Sequence, residues 1–264
     1  MNNPISAPIL VDHRPDGFLV VTLNRPNKRN ALDFQLLDAL ALTVREAGSV
    51  ASVVILRGAG GQAFSAGFDL GELTGTEADL EADAAVGRAA EALSACPVPV
   101  VAQLEGHCHG AAIELALNCD LRVASPELKM SLRAVSLGVV YRTQLLARMI
   151  DTVGLGRTQQ LLLGMPVLNA DEALAWGLVS EVVTSGQVEA RVNAIASMLA
   201  SAPASAVRGT KATLGLLANR SANSDVLTAT YPWRQAAAAS DERKRALSAA
   251  RMNLRRTRID TGDG

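Results

Sequence analysis

The sequence predicts an α/β protein with a helical carboxyl-terminal region. Short apolar, β-rich runs alternate with leucine- and alanine-rich runs of helical spacing, and from Gln144 onward the pattern is almost wholly helical. Alternation of strands and helices is typical of an α/β fold. The 264 residues are 49% hydrophobic, enough for one substantial core, and the composition shifts near Pro203. We therefore expect a core over residues 1–202 and a helical region over residues 203–264.

The first predicted elements lie between residues 19 and 58. Leu19–Leu23 is a short β-rich run that ends at a turn, Asn24–Asn27. Asp33 can accept a hydrogen bond from the first turn of a helix. That helix carries four apolar residues at helical spacing, Leu36, Leu37, Leu40 and Val44. Ser52–Arg57 then predicts a buried strand, because it is a continuous apolar run closed by glycines.

Between residues 78 and 124 the predicted helices and strands alternate at short intervals. Ala78–Ala95 is alanine-rich and predicts a helix, and two prolines then lead into a strand at Val100–Leu104. A helix over Ala111–Asn118 and a strand over Leu121–Ala124 follow. After Gln144, glycines and prolines divide the helical pattern into segments.

Composition excludes several classes of protein. The formal net charge of −1 lacks the basic excess of a general nucleic-acid binder. No uncharged apolar stretch is long enough to predict a membrane span, and the first thirty residues do not resemble a secretory signal. The three cysteines, Cys96, Cys108 and Cys119, show no metal-like spacing and predict buried, reduced thiols. A cytoplasmic location is the expectation.

Two segments carry the strongest functional signal. Ala63–Leu70 reads AFSAGFDL, and Gly106–Ala124 reads GHCHGAAIELALNCDLRVA. In each, small residues form a turn that leads into an apolar run, which leaves backbone N–H groups free. Two such groups can bind one carbonyl oxygen as it becomes an anion. The pair therefore predicts carbonyl chemistry through an enolate or oxyanion.

Together with LNRPNKRNAL at Leu23–Leu32, these segments resemble the crotonase (enoyl-CoA hydratase/isomerase) superfamily, from about Ile9 to about Arg255. The resemblance implies a crotonase-type spiral of ββα units with a carboxyl-terminal helical region used in trimerisation. It further implies a homotrimer or homohexamer. The substrate it implies is an acyl-coenzyme A thioester, with no cofactor other than the coenzyme A of the substrate.

The resemblance also assigns catalytic positions. It places the two oxyanion N–H groups on Phe68 and on Ala111, where an alanine replaces the middle glycine of a triple-glycine turn. Glu114 matches the first of the two catalytic glutamates of enoyl-CoA hydratases, and its pKa would rise in an apolar setting. The second glutamate is missing, because Ala134 occupies its place. Tyr141, in LGVVYRT, stands where members of the methylmalonyl-CoA decarboxylase kind carry a tyrosine.

Further positions complete the predicted site. The resemblance implies contacts to coenzyme A from seven residues, namely Lys28, Ala66, Phe68, Asp69, Leu70, Gly71 and Gly110. His107 and His109 bracket Cys108, but with no further ligand nearby the pattern does not predict a metal. Arg133 and Arg142 could meet an acidic acyl group, although solvated surface arginines are the expectation for both.

Three functions remain open on the sequence. Hydration of a trans-2-enoyl-CoA, a lyase reaction, is the default for the superfamily. A methylmalonyl-CoA decarboxylase-like lyase is favoured by Ala134 and Tyr141. A catalytically weak acyl-CoA-binding homologue is the third, and Glu114 argues against it, because a pure binder needs no acid there.

Overall fold

A computed structural model describes residues 7–218 and 224–261. Its larger sheet has six strands in the order β1-β2-β3-β5-β7-β10. The strand β1 runs antiparallel to β2, and the other pairs in this sheet are parallel. The strands of this sheet are β1 (Ile9–His13), β2 (Phe18–Leu23), β3 (Val53–Gly58), β5 (Val100–Leu104), β7 (Leu121–Ala124) and β10 (Glu181–Val182). All six residues of β2 are buried, as expected of a central strand covered on both faces.

A smaller, four-stranded sheet has the order β4-β6-β8-β9. Its strands are β4 (Ala63–Ser65), β6 (His107–His109), β8 (Lys129–Ser131) and β9 (Leu168–Asn169). The strand β6 pairs in parallel with both β4 and β8, so the segment before Phe68 lies beside the segment before Ala111. This pairing brings the two predicted turns to the same edge of the small sheet.

Helices pack against both faces of the larger sheet. The helices of the described residues are α1 (Phe34–Val50), α2 (Leu80–Ala95), α3 (Ala111–Leu117), α4 (Thr143–Leu163), α5 (Ala170–Trp176), α6 (Val188–Ser201), α7 (Ala204–Ala218), α8 (Ser224–Ala239) and α9 (Asp241–Thr261). The Asp33 side chain accepts a hydrogen bond from the Leu36 amide, which confirms the predicted cap of α1. Buried faces of α1, α2 and α3 share one core with the sheet, whereas α6 covers the opposite face.

The carboxyl-terminal helices lie against the same chain. Arg234 of α8 pairs with Asp83 of α2, and Arg243 of α9 pairs with Asp79 at 2.7 Å. Lys211 of α7 also bonds to the core, at Asp120, but no residue of α7 is fully buried, and Leu214, Leu216 and Leu217 are exposed on it. The last three residues of the predicted region 203–264, and residues 219–223, lie outside the described parts of the chain.

The predicted α/β class is confirmed, as are most of its elements. The strands at Val100–Leu104 and Leu121–Ala124 have the predicted bounds. Sequence reasoning missed β4, β6 and β8, because three-residue strands are too short to show a period. The three cysteines are buried and unpaired, as predicted. Across the described residues, no helix has the length and apolarity needed to cross a bilayer.

Candidate active site

The first predicted turn follows β4 and centres on Gly67. This residue has a φ of +91°, and a Cβ there would lie 2.7 Å from the backbone oxygen of His109, so only glycine fits. The Gly67 carbonyl accepts from the Leu32 amide, and the Asp69 amide donates to the Leu32 carbonyl. Phe68 lies between these two bonded residues, and its own N–H donates to no acceptor in the part of the chain that the structure describes.

The second turn follows β6 at Gly110. Gly110 has a φ of +54°, and its amide donates to the Ser131 carbonyl at 3.0 Å. Ala111 begins α3 without a positive φ, so alanine in place of glycine adds no strain there. As the first helical residue, Ala111 has an N–H without an intrahelical partner. A Cβ built on Gly67 would lie 3.6 Å from the Ala111 nitrogen, so the two turns are adjacent.

Glu114 lies on the first turn of α3 and is only 2% exposed. Burial raises the pKa of its carboxyl group to about 7, although the positive charge of Arg142 opposes the rise and the charges of Asp83 and Glu91 add to it. A carboxyl group with this pKa can both accept and give a proton near neutral pH.

The prediction that Arg142 is a surface residue is wrong. Its side chain is 8% exposed and forms an ion pair with the Glu114 carboxylate. Space for the guanidinium group comes from Gly87 of α2, where a Cβ would overlap it. The pair joins residues 28 positions apart, and the lone glycine in the predicted alanine-rich helix was the available sequence signal. Arg133, in contrast, is exposed as predicted.

Tyr141 lies beside the second turn. Its hydroxyl oxygen is 3.8 Å from the place where a Cβ on Gly110 would be. Burial raises the pKa of Tyr141, and the negative charges of Glu114 and Asp83 raise it further, so the phenol stays protonated. Ala134, in contrast, is buried and brings no carboxylate to its position.

Asp69 organises the loop that follows Phe68. Its carboxylate accepts from the Gly71 amide at 3.0 Å, from Lys28 Nζ at 2.8 Å and from Arg25 Nη2 at 3.1 Å. Burial raises the pKa of Asp69, but these hydrogen bonds outweigh it and hold the pKa below its usual value. The predicted coenzyme A contact Lys28 is thus already paired with Asp69, and its side chain stays 45% exposed.

Three of the other predicted coenzyme A contacts, Ala66, Leu70 and Gly71, lie along the same loop, whereas Gly110 lies on the second turn. Ala66 and Gly71 are exposed, and Leu70 is half-buried. The Leu70 carbonyl accepts a hydrogen bond from Arg251 Nε of α9 at 2.8 Å. Sequence reasoning did not foresee that α9 would hold this loop.

His107 and His109 lie on one face of β6. His109 Nε2 is 3.1 Å from His107 Nδ1, and His109 Nδ1 is 3.0 Å from the Ser131 hydroxyl. Burial and the neighbouring positive charges of His107, Arg133 and Arg29 lower the pKa of His109 to about 4. Both rings therefore bond within the sheet, and His109 is neutral at physiological pH.

This fold, with two adjacent glycine turns and one buried glutamate, is that of a crotonase-type protein. The chain belongs to the enoyl-CoA hydratase/isomerase family, whose profile matches residues 13–251. It is 32% identical over 214 residues to a short-chain-enoyl-CoA hydratase of Clostridium acetobutylicum, and the matched region covers 80% of each of the two chains.

Two solved structures share the fold. An enoyl-CoA hydratase from Mycobacterium avium subsp. paratuberculosis K-10 superimposes with a TM-score of 0.81 at 28% identity, over 94% of this chain and 96% of that one. A methylmalonyl-CoA decarboxylase in complex with 2-nitronate-propionyl-CoA superimposes with a TM-score of 0.85 at 24% identity, over 93% and 95%. At that identity, the second likeness shows the fold alone.

Proposed function

We propose that this chain acts on acyl-coenzyme A thioesters through an enolate-like intermediate, and that it adds water to a trans-2-enoyl thioester. The observation that carries the proposal is the pair of unpaired amides, Phe68 and Ala111, on adjacent turns with Glu114 one helical turn beyond. Donors of this kind, aimed at a developing oxyanion, stabilise a transition state by roughly 2.7–4 kcal/mol each.

The proposed reaction needs one residue that first accepts a proton and later donates it. The Glu114 carboxylate accepts a proton from water while the water oxygen bonds to Cβ of the enoyl group. The electron pair of the double bond moves to the thioester oxygen, held by the Phe68 and Ala111 amides. Glu114 then returns the proton to Cα, so that one water is added and the enzyme is restored. A pKa of about 7 suits both steps.

The coenzyme A part of the substrate is assigned to the loop after β4. Gly71 and Ala66 are exposed there, next to Phe68, and Gly110 lies on the adjoining turn. Lys28 carries a positive charge at the edge of this loop and suits a phosphate. In this proposal the coenzyme A arrives with the substrate, and no separate cofactor takes part.

A panel of thioesters tests the reaction. The full chain is incubated with crotonyl-CoA, a longer 2-enoyl-CoA and methylmalonyl-CoA, and the products are read by mass. A gain of one water on the enoyl thioesters is the expected result. Tight binding without any mass change would overturn hydration and point to a catalytically weak acyl-CoA-binding homologue.

Decarboxylation of a methylmalonyl-type thioester is the second candidate, favoured by Ala134 and Tyr141. Loss of CO₂ breaks the bond to the carboxylate, and its electron pair forms the enolate held by the two amides. No base is needed to start this step, so the missing second glutamate does not impair it. The protonated Tyr141 hydroxyl, beside Gly110, is placed to orient the carboxylate or protonate the enolate.

Two variants separate these candidates. If the chain is a hydratase, Ala134→Glu should raise crotonyl-CoA hydration, by at most about 10²–10⁴, and Tyr141→Phe should have little effect. If it is a decarboxylase, Ala134→Glu should lower turnover of the anionic substrate and Tyr141→Phe should damage it. Measuring both variants on both substrates identifies the reaction.

We also propose that the chain assembles as a homotrimer or homohexamer. The support within the structure is α7, in which no residue is fully buried and Leu214, Leu216 and Leu217 are exposed. Exposed apolar faces of this kind mark interaction surfaces.

A further inference from the structure

Two acidic residues of α2 lie on either side of the place where Arg142 packs. Asp83, Gly87 and Glu91 are spaced four residues apart, so they share one face of the helix. The guanidinium of Arg142 packs against the middle residue, because a Cβ on Gly87 would overlap it. Nη1 of Arg142 lies 3.7 Å from Oε1 of Glu91. Arg142 therefore has a carboxylate about one helical turn away in each direction along α2.

The two carboxylates differ in burial. The side chain of Asp83 is 18% exposed, whereas that of Glu91 is 66% exposed. Asp83 is also fixed in place by its ion pair with Arg234 of α8. Water and salt screen an exposed charge much more than a buried one. We therefore expect Asp83 to act on the surrounding charges more strongly than Glu91 does.

Arg142 is shared among several carboxylates. Its Nη2 atom pairs with the buried Glu114, while the negative charges of Asp83 and Glu91 attract it from α2. A carboxylate with an arginine of its own is held in the charged form, which makes it a poor proton donor. Glu114 shares its arginine, and the negative charge of Asp83 also disfavours the charged form of Glu114. Both effects let Glu114 take up a proton near neutral pH.

The charge on Asp83 depends in turn on its neighbours. Asp83 faces the cations Arg142, Arg234 of α8 and Arg243 of α9. Burial raises the pKa of Asp83, and these cations oppose the rise. The phenol of Tyr141 stays protonated, so it adds no charge. The carboxyl-terminal helices thus help to keep Asp83 ionised.

We propose that Asp83 is a positioning residue for the acid of the candidate site, that it acts through Arg142, and that Arg234 makes this role depend on α8. Asp83 and Glu114 compete for Arg142, so Arg142 does not hold Glu114 permanently as a carboxylate. The inference rests on the proposed function, in which Glu114 must both accept and donate a proton.

Titration of Glu114 in the absence of substrate tests the inference. Its carboxyl carbon is followed by carbon-13 NMR in the full chain, and its signal is identified by its loss in Glu114→Gln. Asp83→Asn keeps the shape of the side chain and removes its charge. The titration midpoint of Glu114 should then fall by about one pH unit, as expected for charges roughly 10 Å apart at an effective dielectric constant of about 20. Glu91→Gln is the matched control, because it removes the same charge from an exposed position on the same face, and it should lower the midpoint by less than about 0.3 unit.

Two further variants separate charge from structure. Asp83→Glu keeps the charge and should leave the midpoint nearly unchanged. Arg234→Gln removes the cation on the other side of Asp83, so the midpoint should rise, and this variant provides the test if Asp83→Asn does not fold. The inference would be overturned by equal midpoints in Asp83→Asn and Glu91→Gln, by a midpoint in Asp83→Glu as low as in Asp83→Asn, or by no rise in Arg234→Gln.

The pH dependence of kcat for crotonyl-CoA hydration is the functional measurement. Because Glu114 acts first as a base, kcat falls as pH decreases through its pKa, and this midpoint should also be about one unit lower in Asp83→Asn. A merely structural role of Asp83 would lower kcat at every pH and leave the midpoint in place, which would overturn the inference. Absence of hydration by the natural chain would overturn the proposed function, and the NMR titration would still test the role of Asp83.

Discussion

Replacing Gly87 by alanine should change the pKa of Glu114, the acid of the candidate site, while leaving both Glu114 and its ion-pair partner Arg142 in the sequence. A Cβ at position 87 would overlap the guanidinium of Arg142, so Arg142 must move away from α2. Glu114 would then lose the positive charge that opposes the effect of burial on its pKa. The pKa of Glu114 should rise above about 7.

The effect of this substitution on the free energy of unfolding depends on pH. Since the pKa of Glu114 is about 7 in the folded chain and 4.5 ordinarily, the unfolded chain loses this proton first as pH rises. Glu114 therefore lowers the free energy of unfolding between about pH 4.5 and pH 7, and its contribution is constant above pH 7. In Gly87→Ala the decline continues to the new, higher pKa. The variant should lose up to about 1.4 kcal/mol relative to the natural chain between pH 7 and pH 8.

Urea unfolding of both chains at pH 5, 7 and 8 measures this difference. Gly209→Ala is the matched control, because Gly209 is also helical and a Cβ there would meet nothing within 4 Å. The control should be more stable by up to about 1 kcal/mol at every pH, from helix propensity alone. If Gly87→Ala behaves like Gly209→Ala, or if its destabilisation is the same at pH 5 and pH 8, the reasoning about Arg142 and Glu114 is refuted.

Three further predictions address the site and the assembly. Glu114→Gln should lower turnover by about 10²–10⁴ while the dissociation constant for coenzyme A thioesters changes little; an unchanged kcat would remove Glu114 from the mechanism. Gly67→Ala should lower both turnover and thermal stability, since its φ is +91° and its Cβ would lie 2.7 Å from the His109 carbonyl oxygen; unaltered kinetics would count against the paired turns. Light scattering at micromolar concentration should give the mass of three or six chains, and a monomer would contradict the proposed trimer.

Much of the architecture could be predicted because it depends on local patterns. Buried strands appear as continuous apolar runs, and the cap of α1 depends on Asp33, three residues from its partner. The turns at Gly67 and Gly110 could be located because small residues permit backbone conformations that others resist. The pair of Arg142 and Glu114 could not be predicted in this way. It depends on the packing of α3 and α2 beside the segment before α4, and such long-range contacts leave no periodic signal in one sequence.

The ion pairs that α8 and α9 make with Asp83 and Asp79 have a consequence for biosynthesis. Both acids lie early in the chain, and their cationic partners, Arg234 and Arg243, are synthesised more than 150 residues later. Until then the Asp79 carboxylate keeps its hydrogen bonds from the Thr74 and Gly75 amides, but it has no ion-pair partner from α9 and stays hydrated. Closure over Asp79 must therefore wait until Arg243 has left the ribosome.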